Sequence, residues 1–200
     1  MDKQPTSEEL VRWLVKLLDV KPGAEEGHFA GRRKRGGVGR VFGGQVIAQA
    51  LAAAERTVAE DRAVHSLHAY FLRGGSEDHE IDFKVERDLD GGSFSNRRVV
   101  ASQLGTPILN LVASFHRREE GPRHQDAMPD VPAPDDLPSE ADLRRQFLHL
   151  VPEDKRAQMI APRPIELRPV EKRHWMGAEP SEPRANTWFR ACAPLPDDPR

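Results

Sequence analysis

Two adjacent glycines mark the start of the segment that most restricts how this chain can fold. Gly43 and Gly44 lie within RVFGGQ (residues 40–45), which runs directly into the alanine-rich segment Val46–Val58. A spacing of i, i+3, i+4 and i+7 places one apolar face on this segment, formed by Ile47, Ala50, Leu51, Ala54 and Val58. Because alanines occupy much of the remaining surface, other elements can approach closely. The segment therefore predicts a slim central helix that a curved sheet can surround.

Four strand-like segments follow this helix. Apolar and polar residues alternate in His65–Arg73, Ile81–Leu89, Phe94–Gln103 and Pro107–His116. Asp90-Gly91-Gly92 predicts a turn between the second and third of them. Their lengths suit an antiparallel meander with one buried face. The predicted fold class is α+β, with a long central helix wrapped by an antiparallel sheet.

The regions on either side of this core carry their own signals. Thr6 and Glu9 have capping-box spacing, which predicts a helix over Ser7–Asp19. Fourteen of the 17 prolines follow residue 120, so Gly121–Pro138 is predicted to be an extended linker. Ser139 is the predicted N-cap of a short helix. Two more strands are predicted, over Ile165–Glu171 and Asn186–Ala191.

These signals divide the chain into three predicted regions. Residues 1–120 form a complete first domain, residues 121–160 a proline-rich linker with a short helix, and residues 161–200 the start of a second domain. Asp198 followed by Pro199 has the form of a helix start. We therefore expect the second domain to be truncated at Arg200, and to be the opening of a structural duplicate of the first.

Composition argues against several functions. The formal net charge is −2, so no overall field attracts nucleic acid or an anionic membrane. No apolar run approaches the roughly 20 residues of a membrane span, and the first residues lack the order of a signal peptide. Cys192 is the single cysteine, which excludes an intrachain disulfide and favours a reducing compartment. We expect a cytoplasmic protein.

The first turn of the central helix is a candidate binding site. Gly43, Gly44 and Gln45 stand where backbone N–H groups lack a partner within the helix, and such groups can stabilise a carbonyl oxygen or an anion. Alternatively, the glycines only permit close packing of the backbone against the sheet. The two interpretations are compatible.

Two histidines of the first long strand are a further candidate site. His65 and His68 are three residues apart, which places them on opposite faces of a regular strand. A shared metal is therefore not expected, and no tetrahedral set of cysteine and histidine ligands occurs elsewhere. His65 is either a polar group lining a cleft beside the helix or a hydrogen-bonded structural residue.

Two groups of basic residues are candidates for phosphate binding. Arg32-Arg33-Lys34-Arg35 precedes the central helix, and Arg97 with Arg98 lies on the strand predicted over Phe94–Gln103. The first group is either a solvated loop or a contact for a nucleotide-bearing ligand. The second is either a phosphate contact or a solvated or cross-strand charge. No Gly-x-Ser-x-Gly elbow or P-loop is present, so serine-hydrolase chemistry and nucleotide hydrolysis have no support.

Seven blocks of sequence together resemble the TesB-like type II acyl-CoA thioesterases. They are RVFGGQVIAQAL (40–51), VHSLHAYFLR (64–73), DGGSFSNRRV (90–99), ASFH (113–116), QDAMP (125–129), APDDLPSE (133–140) and RPIELRPVE (163–171). The blocks occur in order over nearly the whole chain. The resemblance implies a double hot-dog fold, in which two units are fused and each is a long helix wrapped by an antiparallel sheet. Residues 1–120 would be the complete first unit.

The resemblance also implies an activity. The family hydrolyses acyl-CoA to a free fatty acid and CoA, in fatty-acid metabolism, with no metal or organic cofactor. An Asp, a Thr or Ser, and a Gln of the second unit orient and activate water, and the matching positions are expected beyond Arg200. Within this chain, His65 is the candidate catalytic residue, and Gly43, Gly44 and Gln45 are the candidate substrate-binding residues.

Two other functions stay open at this point. Residues 1–200 alone are expected to be inactive, so the alternative is a non-catalytic module that binds acyl-CoA or oligomerises. Open sheet edges favour pairing with another chain, and a homo-oligomer formed through them is expected. A hydratase acting on enoyl-CoA has less support, since no Asp-x-x-x-x-His arrangement occurs near a helix start.

Overall fold

A computed structural model describes residues 4–34, 36–172, 180 and 182–197. The helices are α1 (Ser7–Leu18), α2 (Gly43–Glu55), α3 (Glu140–Gln146) and α4 (Glu153–Met159). The strands are β1 (Val20–Pro22), β2 (His28–Gly31), β3 (Arg62–Phe71), β4 (Ile81–Asp90), β5 (Phe94–Gln103), β6 (Thr106–Arg117), β7 (Ile165–Pro169) and β8 (Thr187–Ala191). These elements form two compact units: a central unit, Val15–Pro122, and a terminal unit, residues 4–14 with 123–197.

The central unit is an antiparallel sheet packed around α2. Its strand order is β1-β2-β4-β5-β6-β3, and the four longest strands are the four predicted from sequence. One face of the sheet, here called the inner face, packs against α2, and the opposite face is the outer face. The inner face buries large apolar residues, including Phe83, Val99, Leu109, Leu111 and Phe115. Each stabilises the fold by about 1.5–3 kcal/mol. The predicted hot-dog arrangement is confirmed.

The buried face of α2 differs from the predicted one. Ala50 and Ala54 are fully buried, but Ile47, Leu51 and Val58 are only partly buried, and Val58 lies beyond the end of the helix. The most buried residues of the helix are Gln45, Val46, Gln49, Ala50, Ala53 and Ala54. The sheet curves around the narrow alanine side of the helix. The larger aliphatic residues therefore lie at the margin of the contact.

Neither β1 nor α4 was predicted from the sequence. β1 is only three residues long, ends at Pro22 and pairs with β2 at the edge of the sheet. α4 has a polar sequence, EDKRAQM, and no buried residue, so it has no apolar stripe to reveal it. Both elements depend on context more than on local pattern.

Arg97 is buried in the central unit, with 1% of its surface exposed. Its guanidinium donates to Thr57 Oγ1 at 2.7 Å and Thr57 O at 2.9 Å, just beyond the end of α2. It also donates to the carbonyls of Leu89 and Asn96 and to Asp90 Oδ1, at 2.7–3.0 Å. This hydrogen bond from Arg97 lowers the pKa of the Asp90 carboxyl. Arg97 therefore joins α2 to the β4–β5 hairpin and is not a solvated charge.

The terminal unit contains the β7–β8 hairpin, in which Leu167 pairs with Phe189. Glu166 accepts hydrogen bonds from Arg190 and Arg168, and these bonds lower the pKa of its carboxyl. Arg168 also donates to the carbonyls of Pro134 and Leu137, at 2.9 and 2.7 Å. The proline-rich segment is therefore held against the hairpin. As predicted, the Ser139 hydroxyl caps α3, at 3.1 Å from Asp142 N.

Asp198 and Pro199, the predicted helix start, lie outside the described residues. Among the residues that the structure describes, no helix is both long and apolar enough to cross a membrane.

Candidate functional site

The first turn of α2 is flanked by two exposed aromatic side chains. Phe42, immediately before the helix, is 76% exposed, and Phe71, at the end of β3, is 56% exposed. Phe42 provides no side-chain hydrogen bond to cap the helix. The N–H of Gln45, predicted to lack a partner, donates to Phe42 O at 3.0 Å, which leaves the N–H groups of Gly43 and Gly44 as the candidate donors of this turn. This turn therefore combines polar backbone donors with an apolar surface, an arrangement suited to a ligand with both a carbonyl oxygen and an acyl chain.

The two glycines of this turn allow the rings to approach the backbone. A Cβ atom at Gly43 would lie 2.7 Å from Phe71 Cζ, and one at Gly44 would lie 2.5 Å from Phe42 Cε1. Both distances are below any normal carbon–carbon contact. The close-packing interpretation is thus consistent with the structure, and it leaves the first-turn N–H groups next to the rings.

The side chain of Gln45 forms a structural contact. Gln49, which was not predicted as a site residue, forms the same contact. The side chains of Gln45 and Gln49 are buried, and both donate through Nε2 to the carbonyl oxygen of Arg32, at 3.3 and 2.9 Å. Gln49 also donates to Leu17 O at 2.6 Å. The sequence feature that could have indicated Gln49 is the i, i+4 pair of glutamines inside an otherwise apolar helix. These amides fix the segment that precedes α2.

That segment carries the predicted basic cluster. Arg33 Nε donates to the carbonyl oxygen of Glu77 at 2.7 Å, and Arg32 lies 3.8 Å from Asp19. The side chains of Arg33 and Lys34 are exposed, whereas Arg35 lies outside the described residues. The cluster therefore belongs to a segment with defined hydrogen bonds, next to the start of α2.

His65 lies on the outer face of the sheet, away from α2. Its Nε2 atom is 2.9 Å from the hydroxyl of Ser114, which alternates with the buried residues Ala113 and Phe115. Its ring also contacts Phe94 and His116. The structure brings Gly43, Gly44 and Gln45 together but places His65 on the other side of the sheet.

The expectation that His65 and His68 face opposite sides was wrong. A bulge between Val64 and Ser66 shifts the register of β3, so the extra residue changes the alternation of side chains. Both histidines consequently lie on the outer face, where the ring of His68 packs against Tyr70. Within the part of the chain that the structure describes, no three His, Cys, Asp or Glu side chains form a group that could hold a metal ion.

Arg98, the second predicted phosphate contact on β5, forms ion pairs with Glu86 at 2.5 Å and Asp88 at 3.5 Å. It is therefore a cross-strand charge of the outer face. Together with the burial of Arg97, this removes β5 from the candidate anion-binding surfaces.

A groove of about 530 Å³ lies within the terminal unit, beside α3 and β7. Most of its charged residues are already paired, as Arg144 is with Glu140. Arg163 also lines the groove, and burial lowers the pKa of its guanidinium. None of the predicted site residues lies there.

The chain is similar to known acyl-CoA thioesterases. A family model described as the acyl-CoA thioesterase N-terminal domain matches residues 32–116. Human acyl-coenzyme A thioesterase 8 is 38% identical over 182 residues, covering 88% of this chain and 57% of the relative. Acyl-CoA thioesterase 2 of Haemophilus influenzae is 36% identical over 190 residues, covering 95% of this chain and 66% of the relative.

A solved structure gives the same result. The acyl-CoA thioesterase II TesB2 of Mycobacterium marinum is 39% identical, with a TM-score of 0.67. The match covers 92% of this chain and 62% of that one. The chain thus spans between 57% and 66% of the length of these three proteins.

Proposed function

The chain belongs to the TesB-like type II acyl-CoA thioesterases, and from this we propose that the protein hydrolyses acyl-CoA thioesters to free fatty acids and coenzyme A. The observation that carries the proposal is the family match over residues 32–116, which include α2, β3, β4, β5 and all but the last residue of β6. In the reaction, water adds to the thioester carbonyl carbon, the carbon–sulfur bond breaks, and the thiolate leaves and takes up a proton.

We assign the first turn of α2 to one wall of the substrate site. The backbone N–H groups of Gly43 and Gly44 would donate to the thioester carbonyl oxygen, and Phe42 and Phe71 would contact the acyl chain. Gln45 supports this wall through its bond to Arg32. Water is activated, in this proposal, by residues of the second hot-dog unit, and His65 is the candidate catalytic residue of the first unit.

Thiol release tests the function directly. The complete polypeptide should liberate free thiol from long-chain acyl-CoA, whereas residues 1–200 alone should not. Absence of thiol release from the complete polypeptide would contradict the thioesterase assignment and favour the non-catalytic module. Release by residues 1–200 alone would instead show that the catalytic residues lie within this chain.

Gly43→Ala tests the proposed wall. Its Cβ would push against the ring of Phe71, which is exposed and can rotate, so we expect unfolding free energy to fall by less than about 1 kcal/mol. Thioester hydrolysis should fall by about tenfold or more, because the ring displaced over the turn obstructs its N–H groups. Gly92→Ala is the matched control, since a Cβ there has no neighbour within 4 Å. Equal activity of the two variants would remove Gly43 from the site.

The catalytic role assigned to His65 is a separate part of the proposal. His65→Gln keeps a polar group near Ser114 and removes the imidazole. A loss in kcat of about tenfold or more would support general acid–base catalysis by His65. A change below about twofold would assign His65 to the outer-face contact with Ser114.

The proposal extends to the rest of the molecule. Residues 1–120 would be the first hot-dog domain, residues 121–160 the linker, and residues 161–200 the beginning of the second domain.

A homo-oligomer would form through a sheet edge, and β3 suits this because it ends the sheet and leaves Leu67 41% exposed. Light scattering on wild type and Leu67→Lys would test it. We propose the cytoplasm as the compartment, since the single Cys192 suits a reducing environment.

A further inference from the structure

The segment between β2 and α2 carries exposed cationic side chains that are not neutralised. Arg33, Lys34 and Arg40 are exposed, and among the described residues no carboxylate lies within 4.0 Å of their charged groups. Four other arginines of the central unit each have a carboxylate at 2.5–3.0 Å: Arg56, Arg87, Arg98 and Arg117. The segment therefore places three cations with available charge within eight consecutive residues, 33–40.

The backbone of this segment is held in place by contacts that reach the core. The carbonyl of Arg32 accepts from the two buried glutamine amides of α2. Arg33 Nε donates to Glu77 O at 2.7 Å, and Glu77 N donates to Gly39 O at 2.8 Å. A buried amide is costly unless it is hydrogen-bonded, so these bonds specify the conformation of the segment. A fixed backbone lowers the entropy that a ligand must remove on binding.

The acidic residues nearby do not neutralise the cations of this segment. The residue Glu77 is 5% exposed, and its carboxylate lies so close to Gly37 that a Cβ there would be 2.6 Å from Oε2. Asp78 is exposed and accepts a hydrogen bond from the hydroxyl of Ser76 at 3.0 Å. Glu80 is exposed and forms no ion pair with the basic segment in the described part of the chain. An anion can therefore reach the three cations from solvent.

We propose that Arg33, Lys34 and Arg40 bind the phosphate groups of the coenzyme A moiety of the substrate. Coenzyme A carries a nucleoside 3′-phosphate and a 5′-diphosphate, and charged donors on arginine and lysine are the usual partners of such groups. The basic segment ends three residues before Gly43. The phosphates and the thioester of one ligand would thus be held by consecutive parts of the chain. This inference rests on the proposed function for the identity of the ligand.

The test compares two substrates that differ in their phosphates. Wild type and the double variant Arg33→Gln, Lys34→Gln of the complete polypeptide are assayed with an acyl-CoA and with the corresponding acyl-pantetheine, which has no phosphate. We expect KM for acyl-CoA to rise about 5- to 20-fold, equivalent to about 1–2 kcal/mol for two exposed charge-assisted contacts. KM for acyl-pantetheine should change by less than about twofold. Increasing salt should weaken the wild-type preference for acyl-CoA.

Two further variants serve as controls. Lys84→Gln, Arg87→Gln removes the same charge from β4, where both residues are exposed and ion-paired, and should behave as wild type. Arg33→Lys, Lys34→Arg keeps the charge and should retain most of the affinity. An unchanged KM for acyl-CoA in the glutamine variant would overturn the proposal. An equal rise for both substrates would do the same, because it would indicate an effect on the acyl site.

Binding of coenzyme A, measured by calorimetry, separates this proposal from the proposed function. If wild type hydrolyses neither substrate, the thioesterase assignment fails. The phosphate site then stands if coenzyme A binds wild type but binds the glutamine variant at least about fivefold more weakly. It is overturned if the two bind equally, or if wild type binds coenzyme A no more tightly than inorganic phosphate.

Discussion

Replacing Arg97 tests the idea that one buried guanidinium holds α2 against the β4–β5 hairpin. Arg97→Met has a similar length and no donors, so it removes the hydrogen bonds while largely filling the space. The side chain is 1% exposed, and its acceptors are the carbonyls of Thr57, Leu89 and Asn96, the Thr57 hydroxyl and the Asp90 carboxylate. The variant leaves these acceptors without their donor.

The expected loss of unfolding free energy depends on which of the lost hydrogen bonds water can replace. The side chain of Asp90 is 51% exposed, so water can take over much of its contact, and this ion pair contributes little. The three carbonyls and the hydroxyl lie beside a buried side chain, and each lost partner costs roughly 1 kcal/mol. Removing the desolvation cost of the guanidinium offsets part of the sum. The net loss of unfolding free energy should be about 3 kcal/mol.

Urea unfolding followed by far-UV circular dichroism measures this loss, because the sheet of the central unit dominates the signal. With a slope of about 2 kcal/mol per molar urea, the midpoint should fall by about 1.5 M. Arg98→Met is the control, since Arg98 is 52% exposed and forms only surface ion pairs, and its midpoint should shift by less than about 0.5 M. Equal shifts for the two variants would refute the argument from burial.

The same variant should change the dependence of stability on pH. The pKa of Asp90 is lowered in the folded state, chiefly by the hydrogen bond from Arg97. A lowered carboxyl pKa contributes stability that is present above the unfolded value of about 3.9 and is lost as pH falls through the folded value. The gap in stability between wild type and Arg97→Met should therefore narrow below about pH 4. A gap that widens there would contradict the assignment.

Two other changes test contacts inside each unit. Gln49→Leu leaves the carbonyl of Leu17 without its amide donor and that of Arg32 with only Gln45, so the urea midpoint followed by circular dichroism should correspond to a loss of about 1–2 kcal/mol. An unchanged midpoint would contradict a structural role. Glu166→Gln removes the carboxylate whose pKa is lowered by the hydrogen bond from Arg190. Stability from that carboxylate is present above about pH 4.3 and fades below it, so the variant should flatten the acid transition seen by tryptophan fluorescence.

The long elements could be predicted because each carries a periodic pattern over ten or more residues. β5 has its predicted bounds, and β4 differs by one residue at one end. The C-terminal end of α2 could not be predicted from the pattern, since Val58 continues the apolar face but lies past the last helical residue. β1 and α4 escaped prediction, because three residues or a fully polar turn cannot show a period. The spacing of apolar residues therefore predicts a helix or strand only where that element buries one of its faces.

The candidate site was only partly predictable. The glycines at the start of α2 were identified because their conformational freedom is visible in the sequence. The register shift in β3 was not, since a bulge inserts one residue without a distinctive sequence, and it moved His65 and His68 to one face. Arg97 and Arg98 are adjacent and chemically identical. Which of them is buried depends on the face of β5 that meets α2, a property of the folded sheet.

The glutamines and the glycines of the RVFGGQVIAQAL block have two different roles. A helix selected only for packing would not bury two glutamines, because apolar residues of the same size would avoid the desolvation of their amides. Gln45 and Gln49 both bond to Arg32 and so connect the helix to the basic segment. The glycines let Phe42 and Phe71 approach the first turn. The block thus fixes the basic segment on one side and exposes helix N–H groups on the other, so Gln49→Leu should raise KM for acyl-CoA as well as lower stability.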